Sequence, residues 1–280
     1  MDAKRPSDLQ YNDCAAYVGK FTPKARARIL DVGSGSGGLA AALGAAGHVV
    51  TAIDTSPEAV QEARSNGIDA QQADLLDFAG GPFDVVLFSF SLHHIAPLGQ
   101  ALKKARALLG PEGRMILDEF AIERVDAATA AWFFATQDLL AAAGLLGDTE
   151  PSGVLEGKEP LARWRERFEP GRHGHGGRGH HCQGGGGRHG QGGHGREGHG
   201  REGHGHFSEK LHEGDAMQAE IAAEFRILHE ERGPALARFW LHRLREDALP
   251  VALQLVPMER LLIAQGMIRP FGYRIVAAPR

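Results

Sequence analysis

Residues Arg28–Ala40 read RILDVGSGSGGLA. A short apolar run, Ile29-Leu30, is followed by an acid, Asp31, and then by glycines at 33, 35, 37 and 38. The Ala- and Leu-rich run Leu39–Ala46 comes next and has helical composition. Such a pattern builds a buried strand, a tight turn and a helix. Glycines let the backbone turn sharply and let a ligand approach where a Cβ would intrude. The N–H groups that open the helix then face that ligand. The loop alone leaves the ligand open. Gly33, Gly35 and Gly38 satisfy the GxGxxG of dinucleotide sites, whereas Gly33, Gly35 and Gly37 satisfy GxGxG behind an acid.

Working outward, strand and helix alternate. Strands are predicted at Arg28–Val32, His48–Ile53, Ile68–Gln72, Phe83–Phe90 and Arg114–Phe120, with helices at Leu39–Ala46, Glu58–Ser65 and Pro97–Leu109. Asp54-Thr55-Ser56-Pro57 reads as a turn, a cap and a first-turn proline. Gly110-Pro111-Glu112-Gly113 reads as a turn. FDVVLFSF is continuously apolar, as a strand buried on both faces must be. The alternation implies an α/β, doubly wound parallel sheet. A helix capped at Ser7-Asp8 precedes it, over Leu9–Phe21. Beyond it, Val125–Ala143 reads as a helix with Trp132, Phe133, Leu139 and Leu140 on its apolar side, and Pro160–Phe168 as a short basic helix. Residues 171–206 are nearly all Gly, His, Arg, Gln and Glu, hold nine of the fifteen histidines and repeat GHGRE in tandem from Gly193. With no aliphatic or aromatic residue to bury, this tract is expected to be disordered. Helices at Ser208–Ala223, Ala235–Leu244 and Pro257–Gln265 and strands at Glu224–His229 and Tyr273–Ala278 complete the reading. The organisation expected is thus an N-terminal helical segment (1–27), a strand–helix core (28–120), a helical region (121–170), the tract (171–206) and a C-terminal completion of the fold (207–280).

A formal net charge of −4 over 280 residues gives no basic field for nucleic acid. Cys14 and Cys182 lie far apart in unlike contexts, which fits a reducing compartment. The start MDAKRPSDLQ has no apolar signal core, and no apolar run approaches the roughly 20 residues that span a bilayer. A soluble cytoplasmic protein, away from membranes, is the expectation.

Three further features bear on the ligand. Asp31 precedes the glycines, Asp54 ends the second strand, and Asp74 in QQADLLDF follows the third. After the fourth strand comes Ser91-Leu92-His93-His94-Ile95. In this combination residues 28–120 resemble the class I S-adenosylmethionine-dependent methyltransferases, whose first motif is an acid, any residue and GxGxG. The resemblance implies a Rossmann-like methyltransferase sheet of strand order 3-2-1-4-5-7-6, with an antiparallel last strand. It implies S-adenosyl-L-methionine as cofactor and a small-molecule substrate as partner. Asp31 with Gly33, Gly35 and Gly37 would hold the methionine part, Asp54 the ribose, and Asp74 with Leu75 the adenine. Thr55 and Ser89 are further cofactor-binding candidates.

The sulfonium already activates the methyl group, so the protein has to align a nucleophile, exclude water and, for some acceptors, remove a proton. Candidates for that last role are His93 and His94, at the carboxyl end of the sheet; either can instead pack under the cofactor or hold the loop. Asp118-Glu119 end the fifth strand, where Glu119 is a catalytic candidate for a substrate cation or proton and Asp118 can equally cap a turn. Tyr11 and Tyr17 are lid candidates with ordinary core packing as the alternative for Tyr17, and Trp132 and Phe133 are expected to serve helix packing. In the tract, His173-His175, His204-His206, His180-His181 and Cys182 suit weak, multi-site binding of Zn²⁺, Ni²⁺ or Cu²⁺ rather than one ordered site. A second function stays open: a cofactor-binding but inactive domain whose tract binds metal or a partner. An NAD-dependent oxidoreductase is disfavoured by the lack of a Tyr-xxx-Lys constellation.

Overall fold

The computed structural model describes residues 3–146, 152–154, 156–168 and 211–280. The disorder and the metal binding expected of the tract, 171–206, lie outside the described residues.

In chain order the elements are α1 (Asp8–Phe21), β1 (Arg28–Val32), α2 (Gly38–Ala45), β2 (Val49–Asp54), α3 (Pro57–Ser65), β3 (Ala70–Gln72), β4 (Phe83–Ser89), α4 (Leu98–Leu108), β5 (Leu109–Phe120), α5 (Ala127–Ala142), α6 (Pro160–Phe168), α7 (Gly214–Glu224), β6 (Phe225–Gly233), α8 (Arg238–Leu241), α9 (Leu249–Ala264) and β7 (Gly272–Pro279). The strands form one seven-stranded sheet in the order β3-β2-β1-β4-β5-β7-β6. β1 to β5 pair in parallel, and β7 runs antiparallel to both β5 and β6. The strand order reverses between β1 and β4, so their carboxyl ends open a crevice of the kind in which α/β sheets bind ligands.

Side chains of a strand alternate between faces, so each sheet face has its own core. Val86 and Phe88 of β4 join Leu98 and Leu102 of α4 and Met217 and Ile221 of α7. Val85 and Leu87 face the other way, onto Tyr17 and Val18 of α1 and Leu39 and Leu43 of α2. A third cluster, rich in aromatic residues, joins α5, α6, α8 and α9 beyond the end of β5: Phe133 stacks on Trp240 with ring centroids 5.1 Å apart, and Trp164 meets Phe133 edge-on at 5.3 Å.

Several predicted elements are reshaped by tertiary contacts. The Gly110–Gly113 turn is a bulge inside β5: Phe83 pairs with Leu109 and Val85 already with Arg114. β4 ends at Ser89, one residue short of the expected Phe90. α1 begins at Asp8, and the Ser7 side chain makes no cap; the Asp8 carboxylate accepts from the N–H groups of Lys4 and Arg5 at 2.9 Å. Leu139 belongs to the exposed side of α5, at 69% exposure, while Phe134 takes the buried place. α9 begins eight residues before Pro257, which lies inside it instead of starting it. Of the helix expected at Ala235–Leu244 only Arg238–Leu241 forms; just before it the N–H groups of Ala235, Leu236 and Ala237 donate to the buried Glu259 carboxylate at 2.7–2.8 Å. Tyr17 is core, 2% exposed.

Because α7 and β7 complete the same core as α4 and β4, the C-terminal stretch is integral to the sheet. Ile221→Ala should remove about 2–5 kcal/mol of stability, measured as a lower urea midpoint with an unchanged slope.

Candidate active site

β1 and β4 end side by side. Past β1, the chain turns through Gly33 (φ +69°), Gly35 (φ +55°) and Gly37 (φ +81°), a left-handed series that side chains disfavour. At Gly33 space forbids a side chain as well, since a Cβ would come within 2.6 Å of the Ser91 Cβ. Gly38 is covered by the Tyr11 ring, which leaves no room for a Cβ there. Tyr11 therefore sits on the glycine turn, with His242 on its other side at 5.9 Å between ring centroids. Burial pushes its phenol above the ordinary value, opposed by Arg5 and Gln10.

A cleft of about 340 Å³, counted out to its mouth, opens beside this turn. Of the predicted cofactor positions, Gly33, Asp54, Thr55, Asp74 and Leu75 line it; Asp31, Gly35 and Gly37 do not. Ser91 and Ile95 line it too. Neither stands out in the sequence, although both flank the two histidines of SLHHI that do. Asp54 is buried at the end of β2; its Oδ2 accepts from the Gly35 N–H and its Oδ1 from the Ser56 N–H, both at 2.9 Å. Asp74 Oδ1 accepts from the Leu76 N–H at 2.8 Å.

Asp31 stands behind the glycine turn, 2% exposed. Its Oδ2 accepts no hydrogen bond among the described residues. Burial, reinforced by the Asp54 charge, pushes its carboxyl up to about 7. A buried carboxylate left in this state is a site for a cation. Ser89, half-buried at the end of β4, lies outside the cleft lining, and its Oγ meets the Cys14 thiol at 4.0 Å.

The catalytic candidates divide into two environments. His93 and Glu119 are 1% and 0% exposed. The His93 Nδ1 lies 2.7 Å from Glu119 Oε2, so one proton is shared between them, and the His93 backbone N–H reaches Glu119 Oε1 at 3.4 Å. Glu119 thus grips the loop after β4 from beneath. His94 is half-buried, with its ring 4.1 Å from that of His93. Asp118 does not cap a turn: it pairs with Arg238 and with Arg274, the latter at 3.2 Å. Burial alone would raise its carboxyl, but the two guanidiniums hold it below the ordinary range. Phe90, between β4 and the loop, is held at φ +55°, with the Arg238 guanidinium 4.1 Å above its ring. A left-handed non-glycine residue at such a point is strain that the surroundings must hold in place.

Residues 7–183, more than half of the chain, match the family model of the methyltransferase domain. The chain belongs to this family, the class I S-adenosylmethionine-dependent methyltransferases, and its cofactor is S-adenosylmethionine. It is similar to the protein named ubiquinone biosynthesis O-methyltransferase of Xylella fastidiosa (strain 9a5c), with 36% identity over 110 residues, covering 36% of this chain and 45% of the relative. The protein of that name from Caulobacter sp. (strain K31) is 34% identical over 105 residues, covering 34% and 42%. The chain spans less than half the length of these relatives. In fold it is similar to the PH0226 protein from Pyrococcus horikoshii OT3, with a TM-score of 0.50 at 15% identity over 97% of this chain and 90% of that one. The strand order expected from the resemblance is the one observed. Among the described residues no helix is long and apolar enough to cross a membrane, and no cluster of His, Cys, Asp and Glu suits a metal ion. The residues in and behind the cleft fit the cofactor: Asp54 and Asp74 line it, and behind it stands a buried carboxylate, Asp31, one of whose oxygens has no hydrogen-bond partner among the described residues.

This geometry makes two outcomes testable. Gly33→Ala should both strain the turn and push Ser91 outward, lowering the urea midpoint; a midpoint equal to wild type would contradict the close contact. Asp31 carries a pH signature. Its folded carboxyl, near 7, stands above the ordinary 3.8, so the native state keeps a proton that the unfolded chain has released, and stability from this group falls as pH rises from about 4 to about 7. Asp31→Asn should flatten that slope in ligand-free protein and stabilise it at pH 8, as read by urea unfolding at both ends of the window.

Proposed function

We propose that this chain transfers a methyl group from S-adenosylmethionine to a hydroxyl of a small, planar acceptor. The observation that carries the reading is the buried Asp31 carboxylate, one oxygen of which has no hydrogen-bond partner among the described residues, next to Gly33, which lines the cleft. When bound, the cofactor supplies a methyl group already activated by its sulfonium. The chain's own residues then bind, orient and exclude water. Asp31 neutralises the methionine ammonium, while Gly33, Gly35 and Gly37 let the methionine part lie against the backbone. Asp54 accepts from the ribose hydroxyls, with Thr55 alongside. Asp74 accepts from the adenine amino group, and Leu75 packs on its ring.

The acceptor side is drawn from the loop and the aromatic cluster. Phe120 lies 4.7 Å from His93 and 5.0 Å from the half-buried Phe90, and the half-buried Phe239 is 5.7 Å from Phe120, centroid to centroid. This wall favours a planar apolar acceptor, and the relatives' name favours oxygen as the accepting atom. His94, the more accessible imidazole, is the stronger candidate to take the hydroxyl proton, with the His93–Glu119 pair fixing the loop on which it stands.

Calorimetry with S-adenosylhomocysteine tests the cofactor half. Wild type should bind, and Asp74→Ala should bind about 10- to 100-fold more weakly, the worth of a hydrogen bond to a charged group. Absence of binding by wild type would sink the proposal. His94→Asn should keep that affinity within about threefold while losing transfer, a loss of proton-transfer help being worth roughly 10²- to 10⁴-fold; labelled cofactor with a small-molecule extract gives the readout.

A further inference from the structure

The loop after β4 is held from a second side, by the start of the C-terminal stretch. The His212 N–H donates to the His93 carbonyl at 2.9 Å. Its Nε2 stands 2.9 Å from the Ile95 carbonyl. A carbonyl only accepts, so Nε2 carries a proton in this contact, whether the ring is neutral or charged. The residues just C-terminal to His212 fix its place. Gly214 packs so tightly on β5's exit that a Cβ would come within 2.5 Å of the Ala121 Cβ. The Asp215 N–H donates to Glu123 Oε1 at 3.1 Å, and Met217 and Ile221 are wholly buried beneath the sheet.

Opposite His212, Glu119 holds His93 by its ring and its backbone. Between the two grips lie the loop residues that shape the cofactor cleft: Ser91, packed where a Gly33 side chain would be, and Ile95, in the cleft lining. Every residue lining that cleft comes from positions 32–95. His212 comes from beyond the Gly/His/Arg-rich tract and touches two of this loop's carbonyls.

We infer that His212 is a positioning residue of the cofactor cleft. It holds residues 91–95 against the glycine turn, opposite Glu119, and so makes cofactor affinity depend on a part of the chain that contributes nothing to the cleft wall. The inference rests on the reading of the cleft as the S-adenosylmethionine site. It assigns His212 no contact with cofactor or acceptor.

The test uses the full chain with two readouts: S-adenosylhomocysteine affinity by calorimetry, and amide hydrogen exchange of the segment 88–96 by mass spectrometry. His212→Phe keeps a ring but loses the donor. It should speed exchange in 88–96 and weaken S-adenosylhomocysteine binding about five- to tenfold, the net worth of one hydrogen bond. His212→Gln restores an N–H donor and should return affinity to within about threefold of wild type, which a loss of packing alone would not allow. If the Phe variant does not fold, His212→Ala carries the same comparison. Wild-type affinity in the Phe variant, or a Gln variant as weak as it, overturns the inference. If wild type itself fails to bind, the cofactor reading falls; the grip is then judged on exchange, and unchanged exchange in the Phe variant overturns it separately.

Discussion

Gly33 and Ser91 meet where two parallel strands end, and there is no space between them for one carbon atom. β1 must leave the sheet through a left-handed turn that only glycine enters freely, and β4 must leave it without crossing that turn. The two exits are mutually exclusive volumes, so the position of one defines the other. Everything that holds the β4 exit therefore also shapes the glycine turn. This is why a cleft lined by residues 32–95 draws on side chains from the far end of the chain.

The β4 exit is restrained by charge and by hydrogen bonds as well as by the apolar packing of Leu92 and Ile95. Phe90 takes a left-handed conformation, with the Arg238 guanidinium on its ring and its N–H on the Asp118 carbonyl at 2.9 Å. Asp118 in turn pairs with Arg238 and Arg274, and Arg274 reaches Asp13 on α1. Buried ion pairs add little net stability once desolvation is counted, but removing one partner strands the other. Their value here is geometric. A single carboxylate at the end of β5 ties α1, α8 and β7 to one point behind the loop, and Glu119, the next residue, ties the loop itself.

Local sequence carried β1 and β4 of the parallel half well, because each is an apolar run bounded by its own turn chemistry. β1 was legible to the residue, and Ser56 does cap α3, its Oγ accepting from the Ala59 N–H at 3.2 Å. Failures came where a distant residue overrides the local signal. Pro257 reads as a helix start, yet burial of Ala252 and Leu255 draws the helix eight residues further back. Ala235–Leu244 has helical composition, yet only Arg238–Leu241 is helix: before it three N–H groups are held by Glu259, and after it Leu244 bridges to Leu146. Asp54, Asp74 and Leu75, which the family resemblance singled out, do line the cleft. Ser91 and Ile95 were legible only as members of SLHHI, and His212 not at all, since its contacts with the His93 and Ile95 carbonyls cross the crevice.

The two acids at the ends of β1 and β2 show how burial can separate like residues. Both are 2% exposed. Asp54 has backbone N–H groups on each oxygen, from Gly35 and Ser56, and so its charge is spread into the turn it supports. Asp31 keeps one oxygen without such a partner among the described residues, and the Asp54 charge adds to the effect of burial on its carboxyl. In the ligand-free chain this makes Asp31 a liability to stability above neutral pH. A bound cation removes that liability, because its charge favours the ionised carboxylate. On the proposed reading, in which Asp31 meets the cofactor's ammonium, the free energy by which it destabilises the empty site would be recovered on binding. Replacing it should thus move stability and affinity in opposite directions, which is the mark of a residue held for a ligand and not for the fold.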